Sequence, residues 1–132
     1  MKTPTSRLLR GAAYFPVADV DRSTAFYERV LGFSCEYAGG APTEFAMCSR
    51  DGQTIMLKRV GAPERIVPNE KQGGTWDVYF WVDDARALHA ELAARSADVV
   101  YGPLVKESYQ MLEFAVRDSD GHVLGFGQTL PE

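Results

Sequence analysis

Histidine and cysteine are scarce in this chain, since its 132 residues include only two of each. Cys35 and Cys48 lie thirteen positions apart with no further cysteine or histidine cluster nearby. That spacing argues against a zinc site, which needs about four such ligands. Both cysteines fall in neighbouring predicted strands and could face each other, but we expect them to stay reduced.

Long apolar runs and an excess of positive charge are also missing. No stretch approaches the about 18 apolar residues of a membrane span, and residues 1–9 lack the apolar core of a signal peptide. We therefore expect a cytoplasmic protein without a membrane partner. The net charge of −4 disfavours nucleic acid as a partner, because phosphate binding needs a basic face.

What the sequence does contain is an internal repeat. Val17-Ala18-Asp19 and Val82-Asp83-Asp84 each close an apolar run and precede a helix-like stretch. Each copy later reaches an Asp-Gly turn, at positions 51–52 and 120–121. The two Val-x-Asp marks are 65 residues apart, and the two turns are 69 apart. A period of half the chain predicts two copies of one supersecondary unit, each too small to bury its apolar face alone.

Each copy is predicted to run strand, helix and three strands. In the first, a helix over 21–31 is capped by Asp19 or Asp21 and ended by Gly32, and the strands are 8–17, 33–37, 44–48 and 53–59. In the second, a helix over 85–95 is capped by Asp83 or Asp84, and the strands are 76–82, 99–105, 111–116 and 123–126. We expect a single α+β domain over 1–132 made of curved, mixed sheets with one helix on each outer face. Its parts are module 1 over 8–60, a linker over 61–74 that moves or covers the site, and module 2 over 75–128.

Two segments carry a family resemblance. Residues 17–33 (VADVDRSTAFYERVLGF) resemble the first-helix signature of the vicinal oxygen chelate superfamily, and residues 113–127 (EFAVRDSDGHVLGFG) resemble its final hairpin. That superfamily includes glyoxalases, extradiol dioxygenases, fosfomycin-resistance enzymes and bleomycin-resistance proteins. The resemblance spans roughly residues 8 to 128. It implies paired βαβββ modules and a homodimer with a cavity under each curved sheet.

The resemblance also identifies four positions where metal-dependent members carry their ligands. In this chain those positions hold Ala12, Met56, Asp77 and Gly125. A divalent ion needs at least three nitrogen or oxygen donors, and alanine and glycine side chains offer none. We expect His89 and His122 to be solvent-exposed or turn residues. The interpretation is a protein with neither a metal nor another cofactor.

Strand alternation predicts which side chains share a face with the former ligand positions. The helix-facing set is purely apolar, as a core should be: Phe15, Ile55, Leu57, Val78, Phe80, Val82, Leu124 and Phe126. The expected ligand-binding set mixes rings, thioethers and charges: Tyr14, Met56, Lys58, Asp77, Tyr79, Trp81, Met111 and Glu113. Such a mixture is typical of a small-molecule pocket, with Ala12 and Gly125 making room. Tyr79 and Trp81 can stack on a flat ligand or hold a cation.

Other interpretations stay open for several of these residues. The aromatic side chains and Met56 could fill an interface or a collapsed core. Asp77 could pair with a ligand amine, act as a base, or be a hydrogen-bonded strand residue. For Tyr109 and Met111 we expect packing.

The first functional hypothesis is a protein that sequesters an aromatic or cationic small molecule, in the manner of bleomycin-resistance proteins. The alternative is a lyase, isomerase or dioxygenase of the same superfamily that acts on a small oxygenated metabolite. It would need a metal or an acid–base pair, drawn from Asp77 with Glu113, Lys58 or a tyrosine. A module used only as an interaction surface ranks third. No catalytic residue is assigned.

Overall fold

The computed structural model describes residues 3–96 and 100–131. Its first module begins with β1 (Ala12–Val17) and α1 (Val20–Arg29). Three strands follow: β2 (Ser34–Gly39), β3 (Phe45–Arg50) and β4 (Gln53–Arg59). They form one sheet in the order β1-β4-β3-β2. β1 is parallel to β4, and the other pairs are antiparallel.

The second module repeats this topology with β5 (Val78–Trp81), α2 (Ala85–Arg95), β6 (Val100–Lys106), β7 (Met111–Arg117) and β8 (Val123–Thr129). Its sheet has the order β5-β8-β7-β6, again with only the first pair parallel. The α+β fold of two βαβββ modules is therefore confirmed. In the described residues, neither helix has the length and apolar character to cross a membrane.

The element bounds match the sequence predictions closely but differ at several strand ends. The strand over 53–59 and the helix over 85–95 are as predicted. β1 starts at Ala12 instead of position 8, because β4 begins at Gln53 and leaves nothing for earlier residues to pair with. β8 runs on to Thr129, because Met111 of β7 pairs with it. Residue 99, the predicted start of β6, lies outside the described residues.

Both helices begin at an aspartate. The carboxylate of Asp19 accepts a hydrogen bond from Arg22 N at 3.0 Å, and that of Asp84 accepts one from Ala87 N at 3.0 Å. These bonds satisfy backbone donors that have no partner within the helix. Asp19 and Asp84, and not the neighbouring Asp21 or Asp83, are thus the caps. Gly32 follows α1 with φ +72°, as expected of a residue that ends a helix.

One apolar cluster is shared by both modules. It contains side chains of both sheets together with Tyr27 and Leu31 from the first module and Leu92 of α2. All eight residues of the predicted helix-facing set belong to this cluster or pack against it. The alternation expected from the sequence is therefore confirmed for the core.

Polar contacts also join the modules. The hydroxyl of Tyr27 donates to Asp118 at 2.8 Å, and burial raises the pKa of Asp118. His122 is buried, stacks on Phe15 with ring centroids 4.4 Å apart, and contacts the carbonyl oxygen of Pro16 through Nε2 at 2.7 Å. Of the two alternatives expected for His122, it is a turn residue and not a solvent-exposed one, because the turn that carries it is folded against β1.

Candidate ligand-binding site

Each sheet has one face on the shared core and a second face turned away from it, which we call its open face. On the first open face, the strand register aligns Tyr14, Met56, Met47 and Tyr37 in one row across all four strands. The outer rings of the row are exposed, Tyr14 by 59% and Tyr37 by 57%. This row is an accessible surface of aromatic rings and thioethers.

Lys58 follows Met56 by two residues along β4, so its side chain lies on the same face. Its Nζ forms an ion pair with Glu44 at 2.9 Å, and Arg59 pairs with the same carboxylate. Hydrogen bonds from Arg59 and then Lys58 lower the pKa of Glu44. Lys58 and Arg59 therefore share the single negative charge of Glu44.

The second open face carries three aromatic rings that meet edge to face. The ring centroids of Trp76 and Tyr79 are 4.6 Å apart, and those of Tyr79 and Trp81 are 5.0 Å apart. The rings come this close to the sheet because β8 has glycines beneath them. A Cβ on Gly125 would collide with Trp76, and one on Gly127 with the Tyr79 hydroxyl. The room that Gly125 was expected to leave for a ligand is thus taken by Trp76.

Glu113 lies beside these rings and is only 7% exposed. Its carboxylate accepts a hydrogen bond from the Tyr79 hydroxyl at 2.6 Å and another from the Tyr109 hydroxyl. The pKa of Tyr79 is raised, first by burial and then by Glu113. The bond to Glu113 raises the pKa of Tyr109 to about 12. Both phenols therefore remain protonated donors at neutral pH.

Asp77 immediately precedes β5, and both of its carboxylate oxygens are engaged with backbone. Oδ1 accepts from Asn69 N at 3.0 Å, and Oδ2 accepts from Val123 N at 2.8 Å. Asp77 thus ties the connector between the modules to the start of β8. This geometry is the hydrogen-bonded alternative that the sequence left open.

The four positions that bear the metal in related enzymes do not fit an ion here. Ala12 and Gly125 have no side-chain donor, Met56 offers a thioether, and Asp77 already accepts two backbone hydrogen bonds. Within 3–96 and 100–131, no group of three or more His, Cys, Asp or Glu side chains could hold a metal ion. The ring of His89 packs edge-on against Phe114, at 5.0 Å between centroids.

A cleft of about 840 Å³ separates the edge strands β1 and β5. Three of the eight predicted binding residues border it, namely Asp77, Tyr79 and Trp81. Arg10 stands at its other side, where Nε donates to Thr54 at 2.7 Å. Tyr14, Met56 and Lys58 lie on the first open face, and Met111 and Glu113 on the second, away from the cleft. Trp81, exposed by 73%, also borders a cavity of about 500 Å³ between α2 and the first module.

Trp76 and Tyr37 are site residues that the sequence reasoning missed. Trp76 was predicted as the first residue of a strand and was assigned to neither face. The strand begins at Val78, so Trp76 precedes it and folds over Gly125 instead. Tyr37 follows a register shift in β2, between residues 35 and 37, which simple alternation does not anticipate.

Known structures share this fold. TioX from Micromonospora sp. ML1 is 24% identical with a TM-score of 0.72, covering 92% of this chain and 99% of that one. TnmS3, an antibiotic-binding protein from Streptomyces sp. CB03234, is 22% identical with a TM-score of 0.68, covering 96% and 99%. The bleomycin-binding protein from Streptomyces verticillus, solved with copper(II)-bleomycin, is 22% identical with a TM-score of 0.67, covering 97% and 100%.

Among curated protein sequences, none matches this chain. A family model does, and it spans residues 11–126, from the residue before β1 into β8. The chain therefore belongs to the Glyoxalase/Bleomycin resistance protein/Dioxygenase superfamily.

Proposed function

We propose that this protein binds and sequesters a flat aromatic or cationic small molecule on its open faces. The proposal rests on the exposure of Trp81, whose large ring is 73% exposed and meets Tyr79 edge to face. An exposed indole beside a second ring offers a stacking surface for a planar ligand and an attractive face for a cation. The net charge of −4 favours a positively charged ligand at long range.

The related structures support the same class of function. Two of the three proteins named above are described as binding antibiotics, one of them bleomycin. By analogy, the ligand here is an antibiotic-like molecule, and the protein confers resistance by holding it. Proteins that share a fold can bind different molecules, so titration of the purified protein with candidate ligands identifies the molecule.

We also propose that the functional unit is a cytoplasmic homodimer. Several large side chains of the open faces are more than half exposed: Tyr14, Tyr37, Trp81 and Tyr109. Contiguous exposed rings of this kind mark interaction surfaces. A second copy placed over them would enclose the ligand. Sedimentation equilibrium measures the association, and a monomer at tens of micromolar with and without ligand would contradict the dimer.

Trp fluorescence titration tests the binding function directly. We expect bleomycin-class compounds or other planar amines to quench the emission of the wild type, because Trp81 is exposed. Trp81→Ala should weaken binding by about tenfold, since loss of one stacking partner costs about 1–1.5 kcal/mol. Trp81→Phe keeps a ring and should retain most of the affinity. Absence of any fluorescence or calorimetric response across a broad panel would contradict the proposal.

The enzymatic alternative lacks comparable support in the side-chain geometry. Asp77 is held by two backbone donors, Glu113 by two phenols, and Lys58 is paired with Glu44. A free acid–base pair is what general acid–base catalysis requires. Elemental analysis of the purified protein discriminates further, because a stoichiometric transition metal in the site would favour the enzyme.

A further inference from the structure

The carboxylate of Glu113 is buried without a positive partner. Among the side chains that the structure describes, no Lys or Arg forms an ion pair with it. Removing an ionised carboxylate from water is unfavourable unless hydrogen bonds and an opposite charge compensate. The hydrogen bonds are present, from Tyr79 and Tyr109. Among the described side chains, no opposite charge pairs with this carboxylate.

The carboxylate can accept more than it now does. An ionised carboxylate has about four acceptor sites on its two oxygens, and the two phenols use one on each oxygen. Because both phenols act as donors, they hold the carboxylate in place without neutralising it. Glu113 therefore has acceptor capacity left for a cationic group.

The sheet places this negative charge beside the exposed stacking surface. Trp81 of β5 and Glu113 of β7 both pair with Gly127 of the strand between them. Two strand spacings separate Trp81 from Glu113, which is about 10 Å. Gly127 has no side chain, and the Tyr79 ring crosses this gap to reach Glu113. A flat molecule stacked on the Trp81 ring, whose plane is 69° from that of Tyr79, meets Tyr79 edge to face and extends toward the carboxylate.

We propose that Glu113 makes the second open face selective for monocationic aromatic molecules over neutral or anionic molecules of the same shape. This inference rests on the proposed binding function and names the class of its ligand. The rings of Tyr79 and Trp81 supply stacking, which any flat molecule can use. The buried carboxylate distinguishes cations from neutral and anionic molecules, because only a cation offsets the negative charge of Glu113.

The experiment compares three probes of one shape by isothermal titration calorimetry at pH 8, namely N-methylacridinium, acridine and acridine-9-carboxylate. We expect the wild type to bind the cation about tenfold more tightly than neutral acridine, and the anion more weakly than acridine. Glu113→Gln keeps the shape and removes the charge; its amide oxygen still accepts from one phenol, and its NH2 group donates to the oxygen of the other. In that variant most of the preference for the cation over acridine should be lost, and the ratio of the two affinities is the quantity compared with the wild type.

A matched control separates local recognition from net charge. Glu107→Gln removes one negative charge from the β6–β7 turn, near Glu113 in sequence but outside its hydrogen bonds. It should keep the tenfold preference of the wild type. Equal loss of preference in both variants would overturn the proposal in favour of a general charge effect.

The possible results separate this inference from the function on which it rests. If the wild type binds acridine but Glu113→Gln leaves the preference for the cation intact, Glu113 serves only to position the two tyrosines and the inference is wrong. If Glu113→Gln fails to fold, the ranking of the three probes in the wild type decides, and an anion bound as tightly as acridine overturns the inference. If none of the probes binds the wild type, stacking on this face is disproved and the proposed function fails with it.

Discussion

At the scale of single residues, two glycines determine the aromatic site. Gly125 and Gly127 lie in β8 without positive φ, so backbone conformation does not explain their presence. The explanation is the close approach of Trp76 and Tyr79, whose rings occupy the space that side chains would fill. An interior strand glycine often marks such an approach. The sequence indicated Gly125 as room for a ligand, and the structure shows that the Trp76 ring uses that room.

Gly127→Ala should displace Tyr79 from Glu113. The new Cβ would collide with the tyrosine hydroxyl and come within 3.0 Å of Cε of Met111. Loss of a buried hydrogen bond together with local overpacking should cost about 2 kcal/mol of the free energy of unfolding. Urea denaturation measures the loss, and near-UV circular dichroism reports the displaced ring. Gly11→Ala is the control, because a Cβ there has no atom within 4 Å, and an equal effect of both substitutions would contradict the explanation.

At the scale of secondary-structure elements, bounds fixed by local interactions were predictable. α2 begins after a capping aspartate, and both its ends agree with the sequence prediction. The apolar positions Phe26, Val30 and Leu31 lie in the core or pack against it, as helical spacing predicts. Within α1 itself, the fully buried residues are Val20, Ser23 and Tyr27. The hydroxyls of Ser23 and Tyr27 face acceptors on the other module, so their burial depends on contacts about 90 residues away.

Strand ends were harder to predict because they depend on partners. β1 starts later than predicted because its partner β4 begins at Gln53. β8 runs longer than predicted because its partner β7 already begins at Met111. The late start of β5 puts Trp76 before the strand and onto the open face. A two-residue difference in the start of this strand therefore leaves a large ring outside the strand and on the open face. The alternation of side chains predicts which face of the sheet a residue occupies only when the ends of the strand are placed correctly.

Asp84→Ala should weaken α2 by removing its N-cap. The carboxylate of Asp84 accepts the backbone N–H of Ala87, and alanine leaves that donor to water. The expected cost is about 1 kcal/mol of the free energy of unfolding, measured by urea denaturation at a fixed protein concentration. Asp83→Ala removes an adjacent, exposed aspartate that does not cap the helix, and it should be near neutral. Equal losses in the two variants would assign the effect to charge and not to capping.

At the scale of the whole molecule, long-range contacts hold the two modules together. His122 and Pro16 are 106 residues apart in sequence, and Tyr27 and Asp118 are 91 apart. No local pattern predicts such pairs. The repeat indicated that there are two modules and that neither buries its core alone. How they meet depends on a shared apolar cluster and on a few polar side chains that close its edge.

Arg50 and Glu91 form the most extensive ion pair between the modules. Two nitrogens of Arg50 donate to the two oxygens of Glu91 at 2.9 and 3.0 Å, and Arg95 donates to Glu91 at 3.1 Å. The hydrogen bond from Arg50 is the largest cause of a lowered pKa at Glu91. A carboxyl group whose pKa is lowered by folding stabilises the folded state when it is ionised. Its contribution is therefore present above the usual pKa of about 4.5 and is lost as the pH falls through the lowered value.

Glu91→Gln should consequently destabilise the protein at pH 7 and progressively less at acidic pH. The expected loss at pH 7 is about 1 kcal/mol, because the pair is bidentate but partly exposed to solvent. The gap between the wild type and the variant should begin to narrow as the pH falls below 4.5 and should close as the pH falls through the lowered pKa of Glu91, because the carboxyl group then loses its charge. Urea denaturation at a series of pH values, at constant protein concentration, measures the gap. Glu64→Gln removes an exposed carboxylate from the connector and should leave the pH dependence of the wild type unchanged. A gap between the wild type and Glu91→Gln that does not narrow at acidic pH would mean that Glu91 joins the modules by packing, and that its charge contributes nothing to holding them together.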